Sequence, residues 1–258
     1  MENINWFRQT SNKPLFPDLL WSKPENRSHA GKLGVVGGNA HGFAAAAEAY
    51  SEASKAGAGT VRVLLPVSLQ KTVGRVFEAG EYAPSTPSGS FSQKALVDVL
   101  ALADWADGLM LAGDFGNNSE TTILLESLIT KYSHQLTITD DALDYFIQAP
   151  ITVLNRENTL LVLSQSQLQK LAIGAKYMRA FTSTMDMIRL VDSLSEFTKR
   201  YKPAIIVSFL ENVIVAFDGK VSTTKIGSSS EISIATNAAT WWMQNPSQCF
   251  EALTTSVI

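Results

Sequence analysis

The chain has 258 residues, 45% of them hydrophobic and 17% charged, which suits one large globular α/β domain and is ample for a core without disulfides or a structural metal. Lys plus Arg number 21 against 24 Asp plus Glu, and a net charge of -3 gives no bias toward nucleic acid or an anionic membrane surface. A single cysteine, Cys249, excludes an internal disulfide and a cysteine-cluster metal site, and three scattered histidines (His29, His41, His134) argue against a histidine-based one.

The first residues, MENINWFRQTSNKPLF, lack a basic-then-apolar leader pattern, and no apolar run reaches membrane-spanning length, so a cytoplasmic protein is expected. Residues 1–32, with Pro14, Pro17, Pro24, Trp6 and Trp21, read as an N-terminal arm packed on the domain. The stretch 33–66 organises the rest. An apolar run at 33–36 stops at Gly37-Gly38, an alanine-rich helix follows at 44–56, and Gly57-Ala58-Gly59 leads into the β-branched run 60–65. This is a βαβ unit with parallel strands. Its glycines either make the turn alone or also admit an anion to the free N–H groups at the helix start.

Helical spacing returns at 67–77 and 90–105, and a strand at 109–111 runs into a second glycine-containing loop at 112–119, followed by a helix at 120–132. Strands are expected at 136–139, ending on Asp140-Asp141, and at 151–154, followed by the polar loop 155–158. Helices at 165–171 and 185–201 lead to the β-branched run 204–209, and 212–224 reads as a hairpin turning on Asp218-Gly219. A serine-rich loop at 227–230 opens the last helical region, where Trp241 and Trp242 offer a core pair, an adenine platform or an oligomer interface. Strands alternating with helices imply a mostly parallel sheet covered on both faces, with ligands beyond the carboxyl ends of the strands.

HAGKLGVVGGN, AGAGTVRVLLP, PSTPSGSFSQKAL, WADGLMLAGDFGNNSET and TITDDALDYF, in that order, resemble the ADP- or ATP-dependent NAD(P)H-hydrate dehydratases, a branch of the ribokinase-like superfamily. The resemblance covers residues 29–155 by motif and the remainder by order of elements. It implies a three-layer ribokinase-like fold over 1–258 and a repair reaction in which ATP or ADP, with Mg2+ admitted alongside, phosphorylates the hydroxyl of hydrated NAD(P)H before elimination. It also implies a homo-oligomer. Carried over residue by residue, Ala45, Asp114, Gly116, Asp141 and Arg156 fall at substrate-contacting positions. Ser208, Gly227, Ser228, Ser229 and Ser230 fall at nucleotide-binding ones, and Glu231 at the catalytic acid/base. No resident metal site is implied.

The chain departs from the family pattern at several of these places. Asp114 stands in a glycine-rich loop, Arg156 replaces a histidine, Ser208 replaces a phosphate-binding lysine, and only Gly227 remains of three glycines before Glu231. The expectation is a divergent dehydratase with activity weak or lost. The alternatives are a non-catalytic nucleotide-binding sensor or scaffold of the same fold and, less favoured, a small-molecule kinase.

Overall fold

The glycine-bounded unit forms as read: β2 (Lys32–Gly37), α2 (Ala44–Ala56) and β3 (Thr60–Pro66), with β2 and β3 parallel. The computed structural model describes residues 5–21, 23–75, 77–227 and 229–258. Ahead of this unit lie β1 (Trp6–Gln9) and α1 (Pro17–Trp21). After it come α3 (Gln70–Val73), β4 (Gly80–Ala83), α4 (Leu96–Trp105), β5 (Gly108–Gly113), α5 (Ser119–Lys131), β6 (Gln135–Ile138), α6 (Asp141–Asp144) and α7 (Pro150–Leu154). The chain finishes with β7 (Thr159–Leu163), α8 (Gln165–Gly174), α9 (Met187–Arg200), β8 (Ala204–Phe209), β9 (Asn212–Phe217), β10 (Lys220–Lys225), α10 (Glu231–Gln244) and α11 (Cys249–Thr255).

The strands make one sheet in the order β1-β10-β9-β8-β7-β6-β5-β2-β3-β4. Only β9 runs against its neighbours, so the fold is α/β with a mostly parallel sheet. Alternate side chains serve opposite faces, as period-two strands require. Leu109 and Leu111 enter the core under α4, α5, α8 and α9, whereas Met110 and Ala112 enter the core under α2, α10 and α11. The N-terminal arm is stitched on by β1, which adds to β10 in parallel, with Gln9 Nε2 donating to Thr224 Oγ1 at 2.9 Å. Among the described residues no helix is long and apolar enough to cross a membrane.

One expectation changes, and of the three readings of the tryptophan pair one is selected. Residues 151–154 are not a strand but the body of α7, with Pro150 at its first position, where a missing N–H costs nothing. The strand is the next apolar run, β7, and the 155–158 loop therefore precedes a strand and sits at the opposite edge from the carboxyl ends. Trp241 and Trp242 are 7% and 5% exposed, so they are core and present no apolar face to a second copy.

Candidate functional site

The carboxyl ends of β2, β5, β6, β7 and β8 share one edge, and two loops there carry unusual backbone. Asp114 (φ 59°) follows Gly113 (φ 123°) at the end of β5, and Asp140 (φ 53°) stands just after β6. Left-handed non-glycine residues are costly and gather where a loop must aim several N–H groups together. At Gly113 only glycine serves, because a Cβ there would lie 2.9 Å from the Asp140 Cβ and run into its carboxylate.

The N–H groups so aimed are taken by the chain's own carboxylates. The Ala45 N–H in the first turn of α2 donates to Asp114 Oδ2 at 2.9 Å, supplying the cap that Phe43 does not. The Phe115 and Gly116 N–H groups donate to Asp141 at 3.2 and 3.0 Å. Asp140 accepts from the Asp114 and Asp141 N–H groups. Glu231, the first residue of α10, accepts from Thr139 Oγ1 at 3.3 Å and from the Asp140 N–H. Ala45, Asp114, Gly116 and Asp141 thus come together as expected, with Glu231 joined to them through Asp140.

The cluster is electronegative. None of Asp114, Asp140, Asp141 and Glu231 makes an ion pair among the described residues. Burial pushes the Asp141 carboxyl up to about 6 against the pull of its two N–H donors, with Asp140 and Asp114 adding repulsion. Burial likewise raises Glu231, opposed by its bonds to Asp140 and Thr139. Among the described residues no three His, Cys, Asp or Glu side chains form a group that could hold a metal ion.

Beside this cluster, where the β8–β9 turn meets the approach to α10, a cavity of about 770 Å³ opens, lined by Ser208, Leu210, Lys225, Ile226, Gly227 and Ser229. Three of the expected nucleotide-contacting residues, Ser208, Gly227 and Ser229, share it. Ser228 lies outside the described residues. Ser230 caps α10 by accepting from the Ser233 N–H at 2.9 Å, and its hydroxyl donates to Glu48 on α2. The cavity's cation is Lys225, which pairs with Glu211 at 2.8 Å across the exposed rim.

Arg156 is a correction. It is 8% exposed and lies at the other edge of the sheet. Its guanidinium donates to the carbonyls of Tyr132, His134, Glu157 and Asn158 and to Thr159 Oγ1 at 2.6–3.2 Å. Every donor is spent on the start of β6 and β7, so Arg156 cannot reach a ligand at the carboxyl ends. The residue that stands there instead is Gln167, which donates to the Asp140 carbonyl at 2.9 Å and to Asp144 at 3.3 Å. Its signal was present: the run TLLVL followed by Ser164 and Gln167 is a strand leading into a capping box. Thr139 lies in a strand-end loop, where ligands of such folds are expected, whereas Lys225, unanticipated, carries no local signal.

No protein-family model and no curated protein sequence matches the chain. Solved structures do. A ribokinase-like superfamily protein from Enterococcus faecalis superposes with a TM-score of 0.73 at 13% identity, over 100% of this chain and 88% of that one. The ADP/ATP-dependent NAD(P)H-hydrate dehydratase of Bacillus subtilis, co-crystallised with ATP and Mg2+, gives 0.64 at 11% identity over 96% and 87%. Adenosine kinase from Anopheles gambiae gives 0.53 at 9% over 98% and 90%. At such identities the likeness shows the fold, which is ribokinase-like.

Proposed function

We propose that this chain is a divergent NAD(P)H-hydrate dehydratase-like protein that binds ATP or ADP in the cavity of Ser208, Gly227 and Ser229 and dehydrates hydrated NAD(P)H weakly or not at all. The observation that carries the reading is the self-occupied donors: the N–H groups of Ala45, Phe115, Gly116 and Asp140 already hold Asp114, Asp141 and Glu231. In phosphoryl transfer the protein mostly positions groups and neutralises charge. Each lost oxyanion-type donor costs about 2.7–4 kcal/mol, so two such losses bring the reaction near background. Ser208, where the resemblance calls for lysine, removes a cation as well, and Lys225 is already neutralised by Glu211.

Glu231 carries whatever acid/base chemistry remains, because burial raises its carboxyl toward the working range of a proton-transfer group. The same donors favour a second reading, a non-catalytic sensor that binds nucleotide without turning over. In either reading the protein works in the cytoplasm, and any self-association uses a face other than the buried Trp241 and Trp242.

Two measurements test this. Thermal melts with ATP or ADP at a hundred times the dissociation constant gain roughly 2.7 kcal/mol of stability if the cavity binds nucleotide, and no shift at millimolar nucleotide sinks both readings. Absorbance of NADH regenerated from its hydrate, with ATP and with ADP, separates them. Weak turnover abolished in Glu231→Gln supports the dehydratase, binding without turnover supports the sensor, and robust wild-type turnover refutes the impairment.

A further inference from the structure

The β8–β9 turn forms one side of the cavity of Ser208, Gly227 and Ser229, and the residue at its tip is unusual for the place. Phe209 pairs with Asn212, so the connection is two residues long, Leu210 and Glu211. Leu210 has a left-handed backbone (φ 53°) and lines the cavity. It is also 86% exposed.

The turn alone does not call for leucine. Two-residue hairpins need positive φ, and glycine, asparagine and aspartate supply it at least cost. The next hairpin of this chain uses such a pair, Asp218 and Gly219, at φ 48° and 78°. Among the described residues, the other non-glycine positions with positive φ are Asp, Asn or, once, Lys176. Leu210 is the apolar one. Its side chain carries the left-handed penalty without the local hydrogen bond by which Asp and Asn offset it. Left in water, it also gains nothing from burial. Single exposed apolar residues are ordinary. One on a left-handed backbone at a cavity mouth is not, because strain of this kind gathers where ligands are held.

The turn is anchored on its far side. The Glu211 carbonyl accepts from the Ile226 N–H at 3.0 Å, and the Glu211 carboxylate pairs with Lys225 at 2.8 Å. Ile226, half-buried, lines the same cavity just past the end of β10. Leu210 and Ile226 thus give this part of the cavity an apolar surface that a ligand can reach, and the ion pair beside them is neutral as a whole.

We propose that Leu210 is a binding residue of this cavity and covers the base of the nucleotide, with Ile226 as the second apolar contact. The inference rests on the reading of this cavity as a nucleotide site. An aliphatic side chain offers nothing to a phosphate but gains by covering the face of a ring. The cost of Leu210 in the free protein is offset when the base is bound.

Isothermal titration calorimetry with adenosine and with ATP reads the contact, and urea denaturation of the same variants reads the strain. Leu210→Asn keeps the left-handed turn and removes the apolar cover. It raises the denaturation midpoint while weakening adenosine and ATP alike, by about tenfold. Leu210→Met, of similar volume, keeps most of the affinity. Unchanged affinity in Leu210→Asn overturns the proposal and leaves the nucleotide reading standing. A loss for ATP that adenosine does not share does the same, since it would put the residue at the phosphates. A Leu210→Asn variant that loses stability together with affinity also overturns it, because the turn would then be damaged rather than relieved. Wild type that takes up neither adenosine nor ATP at millimolar concentration overturns both.

Discussion

Arg156→Ala separates a ligand-binding arginine from a structural one. The guanidinium makes six bonds, two of them to the Tyr132 carbonyl at 2.6 and 3.2 Å and one to Thr159 Oγ1 at 2.7 Å, all in the interior. Its acceptors are uncharged, and burial holds its pKa down to about 10, with the Tyr132 ring nearby working the other way. Truncation orphans the Tyr132 carbonyl outright, at about 1–3 kcal/mol. Thr159 Oγ1 keeps its bond to the Glu157 carbonyl at 3.0 Å, and the half-buried carbonyls of His134, Glu157 and Asn158 recover water in part. With the lost packing of the stem against Tyr132, the total is about 3 kcal/mol. For a chain of this length that lowers the melting temperature by roughly 6–12 °C. Urea denaturation with unchanged slope is the assay, run beside nucleotide binding. Lysine offers three donors from a single point and cannot span the two segments 132–134 and 157–159, so Arg156→Lys recovers less than half of the loss. A variant within 1 kcal/mol of wild type that has lost nucleotide affinity would refute the structural role and return Arg156 to the ligand.

The carboxylate cluster makes stability depend on pH in a stated direction. The folded Asp141 takes its proton near pH 6 and the unfolded one near 4, so protonation favours the native state as pH falls through that window. Raising the carboxyl from its ordinary value to about 6 corresponds to about 3 kcal/mol, reduced to roughly 1–2 kcal/mol because the half-buried carboxyl is screened by solvent. Wild type therefore gains that much more than Asp141→Asn between pH 7 and pH 4.5 in paired melts, and parallel pH profiles would remove Asp141 as the cause. Gly113→Ala costs about 2–3 kcal/mol, since the backbone at φ 123° and the Asp140 carboxylate both resist a methyl group. A loss below 1 kcal/mol in chemical denaturation would mean that the β5 loop relaxes freely. Asp114→Ala uncaps α2 and destabilises by about 1 kcal/mol while freeing the Ala45 N–H for an external anion; sulfate then raises the melting temperature of the variant more than that of wild type, and equal sulfate responses count against the self-occupied helix start.

The first half of the fold was legible because two independent signals agreed there. The apolar run at 33–36 and the β-branched run at 60–65 were bounded by glycines, and the Asp218-Gly219 turn was readable because both residues need positive φ, which they have at 48° and 78°. At 150–154 the signals conflicted: PITVL is β-branched and apolar, yet it is a single helical turn opened by proline. Choosing the strand there shifted the following loop to the wrong edge of the sheet, and Arg156 went with it. The site shows a deeper limit. Asp114 and Asp141 were locatable as residues in loops that follow strands, but what each carboxylate does depends on donors brought from elsewhere, Ala45 from 69 residues away in one case. Motif order carries an address in the fold, while the chemistry at that address is decided by whichever distant group reaches it first. Here the groups that arrive are the protein's own acids, so a loop that resembles an anion site has, in this chain, become a set of internal caps.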